Sequence, residues 1–158
     1  MITEKQALLH FGKPGRHEEK YMFNWTVPSF LRFPFTHVRN TALGTRGFPT
    51  KIYLNKSLEM PLATALWHLI TRQLPDELRT WDGCYMIRNS RGLNTWSLHS
   101  WGLAIDVNAS SNRLGQKPKL SDNFVKCFTD AGFDWGGHWQ RPDGMHFQLG
   151  WCELRSDD

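Results

Sequence analysis

The sequence has no apolar run long enough to cross a membrane. No stretch approaches the roughly 18 apolar residues that a membrane-spanning helix needs. The opening residues, Met1 to Lys5, lack the basic start and apolar core of a secretory signal. We therefore expect a protein that is synthesised in the cytoplasm without a signal peptide.

Cysteine is scarce, and the chain lacks repeats, low-complexity segments and Gly/Ser-rich linkers. The three cysteines, Cys84, Cys127 and Cys152, are an odd number without a Cys-x-x-Cys pair. This pattern argues against a disulfide framework and against a cysteine-bound metal, and it predicts reduced, mostly buried thiols. Without an internal boundary, residues 1–158 are predicted to form a single domain.

Tryptophan and positive charge are present in excess. The chain has eight Trp, a net charge of +4 and a pI near 9.1. The charge favours attraction to polyanions, whether nucleic acid, teichoic acid, lipopolysaccharide or phospholipid headgroups. Some of the indoles are expected to line a groove, because a core of this size does not easily hide eight.

Hydrophobic periodicity predicts a mixture of helices and strands. Residues 1–50 are predicted to form a short helix capped by Thr3, followed by an irregular arm of the same domain. Strands are predicted at 51–54, 84–88, 102–107 and 145–149. Helices are predicted from about 60 to Pro75, with Leu62, Leu66, Ile70 and Leu74 on one stripe, and from Ser121 to about Asp130. This order predicts an α+β fold, a small antiparallel sheet flanked by helices.

Two segments carry the residues that suggest chemistry. The first, 97–106, reads SLHSWGLAID, and the second runs from GFDWGGHW at 132–139 to DGMHF at 143–147. Tetrahedral zinc in a hydrolase takes three protein ligands and leaves the fourth position to water. His99, Asp106 and His146, at strand or strand-edge positions, fill that quota. Asp143 would reach the site from a turn before the last strand, where it could accept a proton from the attacking water.

A structural interpretation of these residues is also available. A lone His-x6-Asp pair is common by chance, and an isolated histidine on a strand is more often a hydrogen-bonded structural residue than a ligand. The combination of both segments, with glycine and alanine spacers in the first and Trp-Gly-Gly-x-Trp in the second, favours the functional interpretation.

These segments resemble the M15 metallopeptidases, whose signature runs Ser-x-His-x-x-Gly-x-Ala-x-Asp and later Trp-Gly-Gly-x-Trp followed by Asp/Glu-x-x-His. The resemblance implies the Hedgehog/D,D-peptidase type of α+β fold and Zn²⁺ bound by His99, Asp106 and His146. It also implies that Asp143 is the general base.

The family also uses an arginine upstream of the first zinc histidine to stabilise the oxyanion. Arg88, which ends the predicted strand 84–88 and resembles the family's Tyr-x-x-Arg position, is favoured over Arg91, which lies in a predicted turn. Ser97 and Trp139 are predicted to contact the substrate.

The implied function is hydrolysis of peptidoglycan stem peptides by a monomeric enzyme. Aspartate at position 143 is similar to the L-alanyl-D-glutamate endopeptidase branch. The family includes phage endolysins and bacterial carboxypeptidases, and the expected site of action is the bacterial cell wall, which fits either a phage lysin released at lysis or a virion-associated enzyme. The alternatives are a D-alanyl-D-alanine carboxypeptidase and a non-catalytic zinc module that binds peptidoglycan. Nucleic acid is not expected as a partner, because no nucleic-acid-binding motif accompanies the basic charge.

Overall fold

The computed structural model describes residues 1–150 and 153–157. Four α-helices lie in this part of the chain: Glu4–Phe11 (α1), Ser29–Arg32 (α2), Glu59–Thr71 (α3) and Asp122–Thr129 (α4). Its strands are Met22–Thr26 (β1), Arg39–Asn40 (β2), Thr45–Arg46 (β3), Lys51–Asn55 (β4), Thr80–Gly83 (β5), Ala104–Val107 (β6), Phe133–Trp135 (β7) and His146–Leu149 (β8).

Six of the strands form one sheet in the order β3-β2-β5-β6-β8-β7, and β1 pairs with β4 in a separate two-stranded sheet. This arrangement confirms the predicted α+β class. The large sheet is mixed rather than wholly antiparallel, because β2 runs parallel to β5 while the other neighbours are antiparallel.

Aromatic packing covers one face of β8. The ring centroid of Phe147 lies 4.5 Å from that of Phe128 on α4, and α4 also packs against α3. Successive side chains on a strand point to opposite faces, so His146 and Gln148 project away from α4. The hydrophobic core thus fixes which face of the sheet carries the polar residues.

The N-terminal third is more regular than predicted. The helix capped by Thr3 is present, with a capping box to Gln6, and continues to Phe11. Residues 1–50 also contain α2 and strands β1, β2 and β3, which corrects the prediction of an irregular arm. Local periodicity did not reveal these short elements because their partners are remote in sequence, as in the pairing of β1 with β4.

The predicted strand at 84–88 is wrong. The ladder with β6 shifts register between Trp81 and Gly83, and β5 ends at Gly83, whose φ is +136°. A residue in that conformation cannot continue a regular ladder. Beyond it, a single bridge joins Asn89 to Trp96.

The other predicted elements are confirmed with small changes of boundary. The strand at 51–54, the helices beginning near 60 and 121, and the strands near 102–107 and 145–149 correspond to β4, α3, α4, β6 and β8. Ser121 caps α4 by accepting a hydrogen bond from the Phe124 backbone.

Two of the three cysteines are described, and both are buried free thiols, as predicted. Cys152 lies outside the described residues. None of the helices in the described part of the chain has the length and hydrophobicity that crossing a bilayer requires.

Candidate metal and catalytic site

Adjacent strands place the first two candidate ligands side by side. Asp106 on β6 and His146 on β8 are directly paired in the antiparallel register, so both side chains project from the same face. The His146 Nδ1 atom lies 3.3 Å from the Asp106 Oδ1 atom. The flanking pair, Ile105 and Phe147, points into the core on the other face. Sheet register therefore places two of the three candidate ligands.

The third candidate ligand, His99, lies in the 3-10 helix Leu98–Trp101 rather than on a strand or strand edge. Ser97 is the N-cap of this helix, and its hydroxyl accepts a hydrogen bond from the His99 backbone. Gly102 ends the helix with φ +64°, and a Cβ there would lie 2.8 Å from the Asn55 backbone nitrogen. The glycine of the first segment is therefore required sterically where the chain turns from His99 towards β6.

The three donor atoms form a nearly equilateral triangle. His99 Nε2 lies 3.2 Å from Asp106 Oδ1 and 3.2 Å from His146 Nδ1, and the third edge is 3.3 Å. Zinc–ligand bonds of about 2.0–2.2 Å place tetrahedral ligand atoms about 3.3–3.6 Å apart. In the described part of the chain this is the one group of three His, Cys, Asp or Glu side chains that could hold a metal ion. The donor set and its spacing fit Zn²⁺.

Each imidazole also has an acceptor on its far side. The carbonyl of Cys84 lies 2.5 Å from His99 Nδ1, and the Gln148 side-chain oxygen lies 3.0 Å from His146 Nε2. When a cation occupies the triangle, the ring protons are donated to these acceptors, which leaves the opposite ring nitrogens free to offer their lone pairs to the cation. Such outer contacts are typical of metal-binding histidines.

Asp106 is ionised in this setting. Burial opposes the charged form, but the adjacent imidazoles of His99 and His146 outweigh it and hold the pKa of Asp106 well below its usual range. A carboxylate that keeps its negative charge while buried is a suitable cation ligand.

Asp143 lies beside the triangle of His99, Asp106 and His146, in the turn that leads into β8. Its carbonyl accepts a hydrogen bond from the His146 backbone, which ties the turn to the metal-ligand candidate. Burial raises the pKa of its carboxyl, partly offset by the imidazole of His146 and the guanidinium of Arg91. Among the described residues, its buried Oδ1 atom has no hydrogen-bond partner. A buried acceptor without a partner is costly and points to a ligand or water at this position.

The Trp-Gly-Gly segment positions Asp143. Trp135 donates a hydrogen bond from Nε1 to the Gly144 carbonyl, 2.9 Å away, and the Asp143 backbone donates to the Gly136 carbonyl at 2.9 Å. A Cβ on Gly136 would lie 2.7 Å from the Asp143 carbonyl oxygen, so only glycine permits this approach. The second segment is thus a support for the turn that carries the acid.

A cleft of about 620 Å³ opens onto Asp143 and His146. Trp139 lines it and packs against His146, with ring centroids 5.3 Å apart. Ser97 also lines the cleft, but it is buried and its hydroxyl serves the helix cap. Trp96 forms part of the wall, whereas Trp101 is fully buried.

Arg88 and Arg91 both line the cleft. The Arg88 backbone is tied to the helix of His99, because Ser100 Oγ accepts from its N–H and donates to its carbonyl. Arg91 is exposed, yet its charge acts on Asp143. The predicted strand that supported the preference for Arg88 is absent. The position of Arg88 in the fold therefore no longer favours it over Arg91 as the arginine that stabilises the oxyanion.

Sequence reasoning missed several residues of the site. Gln148 was detectable, because it lies two residues after His146 and shares its face on a strand. The N-terminal residues 1–4, which line the cleft, and Arg141 had no signal. They come from distant parts of the sequence, and Glu4 is held there by accepting a hydrogen bond from the Trp96 backbone.

Comparison with known families agrees with the geometry. Residues 91–149 match a family model described as D-alanyl-D-alanine carboxypeptidase. This segment, which is less than half of the chain, is similar to the M15 peptidase family. The match includes His99, Asp106, Asp143 and His146, and it confirms the family recognised from the motifs. The match supports a peptidase of this type, and the α+β architecture is consistent with an M15-like fold. No significant match was found among curated proteins or among solved structures.

Proposed function

We propose that the protein is a zinc-dependent peptidase that hydrolyses peptidoglycan stem peptides, most specifically as an L-alanyl-D-glutamate endopeptidase. The observation that carries this proposal is the juxtaposition of the donor triangle of His99, Asp106 and His146 with the unpartnered Oδ1 of Asp143. Together they supply a cation site and an adjacent proton acceptor in one cleft.

The roles of the residues follow from their positions. Zinc, when bound by His99, Asp106 and His146, supplies a Lewis acid that polarises the scissile carbonyl and makes water more acidic. Asp143 accepts a proton from the attacking water at Oδ1 and later delivers it to the leaving amine. Trp139 provides an apolar wall of the cleft for the peptide.

Two alternative functions differ in which residues of the site they require. A D-alanyl-D-alanine carboxypeptidase would use the same machinery on a terminal residue. A non-catalytic zinc module that binds peptidoglycan needs the triangle but not Asp143. A buried carboxylate oxygen without a hydrogen-bond partner costs free energy, so the retention of Asp143 beside the triangle supports the catalytic proposal.

Mass spectrometry of purified peptidoglycan after digestion separates these functions. New N-terminal D-glutamate supports the endopeptidase, and released D-alanine supports the carboxypeptidase. Binding to the wall polymer without any new fragment would contradict catalysis and favour the binding module.

The oxyanion is proposed to be stabilised by Arg88, with Arg91 as the alternative. We expect the glutamine variant of the correct arginine to lose about 10²–10³-fold in kcat, because a fixed cation is removed from the developing charge. Steady-state kinetics of Arg88→Gln and Arg91→Gln on one soluble stem peptide make the comparison. The other variant serves as the matched control. Near-native kcat in both would remove this role from both residues.

Gln148 is proposed to orient His146 for zinc binding. Replacing Gln148 with leucine removes the acceptor of the His146 Nε2 proton, and we expect zinc affinity to fall about 10–100-fold. Competition with a chelator of known affinity measures the change. Gln148→Glu keeps an acceptor oxygen and should retain most of the affinity. Native zinc affinity in the leucine variant would show that His146 is oriented by other contacts.

A further inference from the structure

The cleft is lined by three arginine side chains that form no ion pair in the described part of the chain. They are Arg88, Arg91 and Arg141. Of the two acids that line the same cleft, Glu4 accepts a hydrogen bond from the Trp96 backbone and Asp143 is the proposed base. The charge of the cleft therefore favours an anionic ligand.

Arg141 has a defined place in this cleft although its side chain is exposed. A Cβ built on Gly92 would lie 3.1 Å from its Nη1 atom, and one built on Gly115 would lie 3.8 Å from its Nε atom. The guanidinium thus lies across two turns, in the space that these glycines leave free. The Gly115 backbone also donates to the Pro142 carbonyl at 2.7 Å, which fixes the loop that carries Arg141.

The position of Arg141 along the chain relates it to the scissile bond. Arg141 precedes Asp143 by two residues, and both residues line the cleft. In the proposed mechanism Asp143 delivers its proton to the leaving amine, so the leaving part of the substrate lies near the loop of Asp143, which also carries Arg141.

The substrates of the proposed function carry an anion at that point, and the inference rests on that function. In a stem peptide, D-glutamate is linked onward through its γ-carboxyl, so its α-carboxylate remains free on the carbon that bears the scissile nitrogen. A terminal D-alanine presents a carboxylate at the same place. Guanidinium binds carboxylate through two parallel hydrogen bonds, which fixes position as well as charge.

We propose that Arg141 binds the free α-carboxylate of the residue that follows the cleaved bond and makes the enzyme selective for it. A substrate in which this carboxylate is amidated, as in isoglutamine-containing walls, is then discriminated against. Arg141 is a specificity-determining residue, distinct from the arginine that serves the oxyanion.

The test uses matched peptides that differ only at this carboxylate. The zinc-loaded protein and its Arg141→Gln variant are assayed on L-alanyl-γ-D-glutamyl-L-lysine and on the corresponding isoglutamine peptide. A second pair, ending in D-alanyl-D-alanine with a free or amidated terminus, covers the carboxypeptidase. Loss of a charge-assisted pair should raise KM about 10–100-fold for the free carboxylate and leave the amidated peptide almost unchanged. Arg46→Gln on β3, outside the cleft, removes the same charge as a control.

Binding provides a second measurement that does not depend on turnover. In the Asp143→Asn background, calorimetry should show the same preference for the free carboxylate, and its loss in the double variant with Arg141→Gln. Arg141→Lys should keep part of the preference, because the charge remains while the paired hydrogen bonds do not.

The outcomes separate the two proposals. Equal effects of Arg141→Gln on free and amidated peptides, or no carboxylate-dependent binding in the Asp143→Asn background, would overturn the role of Arg141. Failure of the unmodified protein to cleave any of the peptides would contradict the proposed function instead.

Discussion

Asp143→Asn is expected to lower kcat for stem-peptide hydrolysis by about 10²–10⁴-fold, the usual cost of losing a general base. The amide has the shape of the carboxyl group but cannot accept the proton from the attacking water. Zinc content and fold should be preserved, because the triangle of His99, Asp106 and His146 does not include this side chain. Single-turnover kinetics and elemental analysis of the same preparation measure both properties.

Asp130→Asn is a suitable control for this variant. Asp130 pairs with Arg72 at 2.9 Å, is partly exposed and does not line the cleft. Its replacement removes the same charge and should leave kcat near the native value, since exposed ion pairs contribute little. Near-native hydrolysis by Asp143→Asn would remove the role of general base from Asp143 and reassign it as a structural residue.

His146→Ala is expected to abolish stoichiometric zinc binding and reduce hydrolysis to background. His146 supplies one of three donor atoms, so its loss should exceed the about 10–100-fold that changes in outer contacts cost. His99→Ala and Asp106→Ala should behave in the same way. The measurement is zinc per chain by elemental analysis, with thermal unfolding recorded beside it because His146 is buried.

His138→Ala is the control for the ligand variants, because it replaces a histidine that lies near the site but outside the triangle. His138 is exposed, packs edge-on against Trp135 at 4.8 Å and occupies the variable position of the Trp-Gly-Gly-x-Trp run. This variant should keep one zinc per chain and most of the activity. Unchanged zinc stoichiometry in all three ligand variants would exclude the triangle as the metal site.

Elements that depend on residues close together in the sequence were predicted correctly, and elements that depend on distant residues were not. Helix α4 was predictable because its cap, Ser121, and its inward residues, Val125 and Phe128, lie within a few positions of one another. Strands β6 and β8 were predictable because polar and apolar residues alternate along them. In β6, for example, this alternation places Asp106 on the opposite face from its apolar neighbours. The false strand at 84–88 arose because its composition is typical of a strand, whereas the conformation of Gly83 turns the chain out of the sheet.

The sequence by itself identified the three side chains that meet in the donor triangle and the acid that is proposed to act beside them. Residue type and spacing are sufficient for that, because metal coordination and proton transfer restrict both. The glycines of the two segments were also visible in the sequence, but the sequence did not show why glycine is needed at those positions. Gly102 and Gly136 are required by close backbone approaches that only the folded chain creates.

Tertiary structure alone decided what surrounds the triangle. It placed the Gln148 amide behind His146, the N-terminal residues in the cleft wall and the Arg141 guanidinium between two glycine turns. These contacts join segments that are up to 146 residues apart, as in the hydrogen bond from Gln148 to the Ile2 carbonyl. Periodicity and motif spacing describe neighbours along the chain, whereas the position of a remote segment depends on how the whole core packs.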